Sequence, residues 1–154
     1  MKIESAFRPL SELETALAEL YGSWSETLQE DPEASFVFFK MSTEERGHAA
    51  LVDYQRRFIE RIPSAQREVD IDLTDIQVAL DRVRILQRRS PSGRPEAIAI
   101  AMELENSAAE SHFRSAVRQA DPEVRRLLDC LGGEDRQHFS RLAELALKGS
   151  DLNN

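Results

Sequence analysis

Glu45 and His48 stand three residues apart in Glu44-Glu45-Arg46-Gly47-His48. On a helix that spacing sends a hard carboxylate oxygen and an imidazole nitrogen from one face toward a single ion. Taken alone, such a pair is usually a solvated helix face, but here it recurs. At an offset of 90 the chain reads Glu134-Asp135-Arg136-Gln137-His138, and the same offset lays Asp31-Pro32-Glu33 onto Asp121-Pro122-Glu123. Moved by one residue, as a single loop insertion would move it, the offset carries Glu14-Thr15-Ala16-Leu17-Ala18-Glu19-Leu20-Tyr21 onto Glu105-Asn106-Ser107-Ala108-Ala109-Glu110-Ser111-His112. Each copy of this internal repeat therefore holds a carboxylate followed by a carboxylate–imidazole pair.

The elements that must position these groups are helices. Ser11, with Glu14 as its capping-box partner, is the expected start of a first helix reaching about Gln29. Asp31 as N-cap and Pro32 at the first helical position open a second, which runs to about Ile62 before Pro63. Ile76, Leu80, Val83 and Leu86 fall at helical spacing and predict a third over about Leu73 to Arg89. A fourth is expected from Pro95 to Ala120. Asp121-Pro122 restarts the chain for a fifth, which ends near Lys148-Gly149. Residues 1–154 thus read as a single domain: hairpin one over about 11–62, a crossover with its own helix over about 63–94, and hairpin two over about 95–149.

Helical rise sets the heights of the candidate groups. Glu14 lies about 15 residues before the end of its helix and Glu45 about 13 after the start of the next, so at ~1.5 Å per residue the two stand level in an antiparallel pair. Glu105 and Asp135 repeat the measurement. Two hairpins packed face to face bring four carboxylates and two imidazoles to one level of a helical core. That many ionisable groups inside a core are prohibitively costly without a neutralising cation, and a metal is the simplest explanation.

Composition narrows the function classes. The 154 residues are 41% apolar and 31% charged, with six Gly and six Pro, which suits an ordinary all-α globular chain. A formal charge of −8 argues against nucleic acid, which needs clustered Lys and Arg on one face. No apolar run approaches the ~20 residues of a membrane span, and Met1-Lys2-Ile3-Glu4-Ser5 does not open a signal peptide, so a cytoplasmic protein without membrane contact is expected. The single cysteine, Cys130, excludes an internal disulfide and a four-cysteine iron site within the chain, and reads as a small buried hydrophobe. Phe36, Phe38, Phe39 and Met41 read as core packing beside the candidate site.

On these residues the chain resembles the ferritin-like, rubrerythrin-related di-iron superfamily, whose signature is one Glu from each of two helices and a Glu-x-x-His from each of the other two. The resemblance covers about Ser11 to Leu147 and is clearest over Glu14 to Tyr21 and Thr43 to Leu51. It implies a ferritin-like four-helix bundle of two repeated hairpins. It maps Glu14, Glu45, His48, Glu105 and His138 onto metal ligands and places Tyr21 beside the site as a hydrogen-bond donor. Asp135 stands where the motif has Glu and is one methylene shorter; Glu134, four residues before His138, is the alternative. His112 occupies the position of a second tyrosine, either as another nitrogen donor or as a core histidine, and Glu103 is an alternative to Glu105.

The resemblance further implies a non-haem oxidoreductase holding two Fe ions, with Mn or Zn also compatible with the donor set. It points to reduction of hydrogen peroxide, with oxygen as the other oxidant, and to electrons from a separate rubredoxin-like donor protein. Two other functions stay open at this point: a ferroxidase serving iron storage or delivery, and a metal-free helical interaction module. A homodimer is the expected assembly.

Overall fold

The structure is a computed structural model that describes residues 1–66, 68–107, 109–131 and 137–150, and it is all-helical. In order come α1 (Ile3–Thr27), α2 (Pro32–Ile59), a short 3-10 turn (Pro63–Gln66), α3 (Thr74–Leu86), α4 (Arg94–Glu105), α5 (Ala109–Ala120), α6 (Pro122–Leu131) and α7 (Gln137–Ser150). Among the described residues there is no strand beyond an isolated bridge between Lys2 and Glu68. No helix among them is long and apolar enough to cross a membrane.

The first helix begins eight residues ahead of the expected cap at Ser11, and Pro9 lies inside it. Ile3, Ala6, Phe7 and Leu10 recur at helical spacing and are completely buried. Their burial, about 1.5–3 kcal/mol for each large side chain, outweighs the one backbone hydrogen bond that proline removes. Ser11 is therefore no cap; its carbonyl accepts from the Thr15 hydroxyl at 2.8 Å. The two Asp-Pro starts do form caps. Asp31 Oδ1 accepts from Ala34 N at 3.1 Å, and Asp121 Oδ1 from Val124 N at 3.0 Å.

α1 and α2 form the most extensive pairing, an antiparallel hairpin. Gly22 lets them close: a Cβ there would stand 3.1 Å from Ser42 Oγ, whose hydroxyl donates to Ala18 O at 2.7 Å. Tyr21, Trp24 and Phe38 pack with ring centroids 5.5–5.9 Å apart at one end of this pair. Phe38 and Met41 are buried as expected, whereas Phe36 and Phe39 are 62% and 58% exposed. At 100° per residue a helix cannot turn all of Phe36, Phe38 and Phe39 inward. Cys130 is likewise exposed, because Val124 and Leu128 carry the buried face of α6.

The crossover lays α3 against α1, with Gln87 Nε2 donating to Ala16 O at 3.0 Å. Beyond it, the expected fourth helix is broken into α4 and α5. Asn106 and Ser107 close α4 with backbone bonds to Met102 O and Leu104 O, and Ser107 Oγ then accepts from Ala109 N at 3.3 Å to open α5. Serine and asparagine side chains compete with the helical ladder in this way and favour ends over interiors. The expected fifth helix is described as α6 and α7, and residues 132–136 lie outside the described set. α4 pairs with α7 and α5 with α6, while α2 touches both α6 and α7. Arg94, at the start of α4, grips Asp31 bidentately at 2.5 and 2.6 Å and so ties the heads of α4 and α2 together.

Candidate metal centre

Four helices bring five of the sequence-predicted groups together. Glu14 comes from the middle of α1, and Glu45 with His48 from one face of α2. Glu105 is the last residue of α4 and His138 the second of α7. Glu14, Glu45 and His138 are each 3% exposed; the side chains of Glu105 and His48 are 16% and 28% exposed.

Glu45 sits between the two histidines. Its Oε2 lies 3.0 Å from His48 Nδ1 and its Oε1 lies 3.0 Å from His138 Nδ1. Glu14 Oε2 approaches His48 Nδ1 at 3.9 Å, and Glu105 Oε2 approaches His138 Nδ1 at 3.3 Å. The result is two triads, Glu14–Glu45–His48 and Glu45–Glu105–His138, each able to offer three donor atoms within 4.8 Å of one another. With metal–donor bonds of about 2.0–2.2 Å, two donors of one ion are at most about 4.4 Å apart, so each triad closes on an ion with small side-chain adjustments. The donor set, hard oxygens with imidazole nitrogens, suits iron, manganese or zinc.

Neighbours hold these groups in place. The Tyr21 hydroxyl donates to Glu105 Oε1 at 2.7 Å. His138 Nε2 lies 2.9 Å from Glu44 Oε2, which also receives Arg141. That arrangement leaves His138 Nδ1 as the nitrogen facing Glu45 and Glu105, and an imidazole fixed through its far nitrogen is typical of metal sites. Glu110 Oε1 accepts from Arg114 Nε at 2.6 Å, and both residues line a cavity of about 110 Å³ that reaches Glu14, His48 and Glu105.

The electrostatics show how the core tolerates these groups as protonated species. Burial, reinforced by a hydrogen bond with Glu45 and by the charges of Glu110 and Glu45, pushes the Glu14 carboxyl well above its usual range. Burial pushes Glu45 up too, but hydrogen bonds from His138, His48 and Glu14 outweigh it and hold this carboxyl down at about 2. Burial opposes a charge on His138, yet its hydrogen bonds to Glu105 and Glu45 raise it to about 10. The hydrogen bond to Glu45 raises His48 as well. A shared proton on Glu14 and a cationic imidazole at His138 thus neutralise what a cation would otherwise neutralise.

Other expected positions fall elsewhere. Asp135 and its alternative Glu134 lie outside the described residues. His112 is not at the centre: its side chain is 66% exposed and its Nδ1 lies 2.8 Å from Asp75 Oδ2. Glu103 is on the surface, 3.4 Å from Arg82. The sequence reading missed Glu44, Glu110, Arg114 and Arg141. Glu44 had a signal in the repeat, where Glu134 matches it, and Arg141 follows His138 at a same-face spacing of three.

No family model, no curated protein and no solved structure matches this chain.

Proposed function

We propose that the chain is a dimetal carboxylate protein of the ferritin-like, rubrerythrin-related type, a four-helix bundle whose centre holds two iron ions and reduces hydrogen peroxide with electrons from a separate donor protein. The observation that carries this reading is the place of Glu45, whose two oxygens each stand 3.0 Å from a different histidine. A carboxylate so placed is suited to bridge two ions.

Two ferrous ions held there supply two electrons, the number that converts one peroxide and two protons into two waters. The protein's own groups do the rest. Tyr21 and Glu44 fix Glu105 and His138, so that the donors are preorganised rather than assembled on binding. The cavity of about 110 Å³ has room for a molecule the size of peroxide or oxygen beside these groups. Leu13, Leu17, Leu51 and Val83 supply the apolar part of its lining, opposite the carboxylates and imidazoles.

Anaerobic protein should take up two Fe(II) per chain, and stoichiometric peroxide should then oxidise it faster than oxygen does. A preference for oxygen, with further iron accumulating beyond two per chain, assigns it instead to iron oxidation for storage or delivery. Glu110 at the cavity wall and the charge of −8 favour cation entry and make that the second reading. Protein that gains no thermal stability from Fe(II), Mn(II) or Zn(II) is a metal-free helical module.

A further inference from the structure

The crossover helix forms part of the wall around the candidate centre, since α3 contributes Ala79 and Val83 to the lining of its cavity. Ala79 also lines a second, outer cavity of about 360 Å³, which lies between α3 and the break that separates α4 from α5. The two cavities have Ala79, Leu104, Ser107 and Ala109 in common. Protein interiors are packed too closely for two adjoining voids of this size to be ordinary.

Local sequence explains the opening. Asp75, Ala79 and Arg82 fall on one face of α3, with about 10 Å of helix from the first to the last. The first and last reach across to the neighbouring helices: His112 Nδ1 of α5 lies 2.8 Å from Asp75 Oδ2, and Arg82 Nη2 lies 3.4 Å from Glu103 Oε1 of α4. These two pairs hold α3 against α4 and α5 at either end of the groove. Between them the wall common to both cavities receives from α3 only the methyl group of Ala79. The other side of that wall is the helix break itself, where Glu105 ends α4, Ser107 is exposed and α5 opens on Ala109.

We infer that this groove is the vestibule through which hydrogen peroxide reaches the centre, and that Ala79 sets the width of the passage. The identity of the oxidant rests on the function proposed above; the route rests on the two cavities alone. Each acidic group at the groove has a basic partner across it, so the groove concentrates neither sign of charge and does not draw in a cation. A small, uncharged, polar molecule suits such an entrance, and Ser107 brings a hydroxyl to the shared wall. Two alanines at the narrow point leave room for a molecule of that size, and a larger side chain at position 79 closes it.

Stopped-flow oxidation of the anaerobic di-ferrous protein reads the entry of peroxide. Ala79→Phe puts a ring on the shared wall and should slow oxidation by hydrogen peroxide about tenfold or more, with Fe(II) stoichiometry and helical circular dichroism unchanged. Ala79→Leu, a smaller demand on the fold, should fall between this variant and wild type. Val78→Phe is the control: Val78 lines the outer groove only and is 63% exposed, so this variant should keep the wild-type rate.

The route can also be read without metal. Leu13 lines the inner cavity and is 6% exposed. Leu13→Cys in a Cys130→Ser background therefore places one thiol there, and its reaction with methyl methanethiosulfonate should be slowed by Ala79→Phe and not by Val78→Phe. Wild type that binds no metal, with this slowing intact, would remove the oxidant and leave the route. A rate that Ala79→Phe leaves unchanged in either measurement would overturn the route and send entry past His48 and Leu51, which are partly exposed on another side of the cavity. Equal slowing by Val78→Phe would overturn the role of Ala79.

Discussion

Glu45 Oε1 lies 3.0 Å from His138 Nδ1, although 93 positions separate the two residues in the chain. This contact joins two otherwise separate carboxylate–imidazole sets, because the other oxygen of Glu45 is already engaged with His48. The consequence is unequal dependence on the two buried glutamates of the first hairpin. Glu45→Gln should abolish tight binding of both ions, whereas Glu14→Gln should leave one, held by Glu45, Glu105 and His138. Anaerobic Fe(II) titration followed by metal analysis reads the stoichiometry directly. Two ions bound to Glu45→Gln would remove the bridging role.

Glu44 acts on His138 from behind. Its Oε2 lies 2.9 Å from Nε2 and is itself held by Arg141, so the ring presents Nδ1 to the two carboxylates. Partners of this kind typically contribute 10–100-fold to metal affinity. Glu44→Leu should therefore weaken binding by about that factor, and Glu44→Asp or Glu44→Gln should recover part of it. Glu103→Gln is the control, since that carboxylate sits on the surface against Arg82. Equal effects from Glu44→Leu and Glu103→Gln would show that only overall charge matters.

A metal bound as proposed would compete with protons for the same atoms. His138 is raised from 6.5 to about 10 in the metal-free protein, so the folded chain holds a proton that the unfolded chain releases. The stability this group contributes is complete below about 6.5 and is lost as pH rises toward about 10. Ligation runs the other way, because Nδ1 must shed its proton before it can donate to a metal. Over this window the unfolding temperature of metal-free protein should fall with pH, while the increment produced by added Fe(II) or Zn(II) should grow. A metal-induced increment that does not change with pH would argue that His138 is not a ligand.

Much of this arrangement is legible in the sequence, and the losses have physical causes. The repeat, the two Asp-Pro caps and the level of Glu14 with Glu45 follow from local spacing, because helical rise and capping are local properties. His112 was expected to sit relative to Glu105 as Tyr21 sits relative to Glu14. The break at Asn106-Ser107 restarts the helix and resets its phase, and His112 emerges on the surface beside Asp75. Exposure of Phe36 and Phe39 follows from the turn angle of a helix, which an aromatic run read without its partners obscures. The sharing of Glu45 depends on how α7 approaches α2, and no spacing along the chain reports that distance.

Asp31 carries two functions that substitution can separate. Its Oδ1 caps α2 through Ala34 N, and both its oxygens receive Arg94 at the head of α4. Asp31→Asn retains an acceptor for the cap and loses the ion pair, whereas Asp31→Ala loses both. Loss of a cap costs about 1 kcal/mol, so Asp31→Ala should be less stable than Asp31→Asn by roughly that amount. The hydrogen bonds of Arg94 hold the Asp31 carboxyl below its usual 3.8. A depressed value means that the ion pair contributes in full above that pH and is lost as pH falls below it through the folded-state value. Urea midpoints for wild type and Asp31→Asn should therefore differ at neutral pH and converge in acid. A difference that stays constant into acid would show that the charge of Asp31 is not its source and leave the ion pair between α2 and α4 without energetic weight.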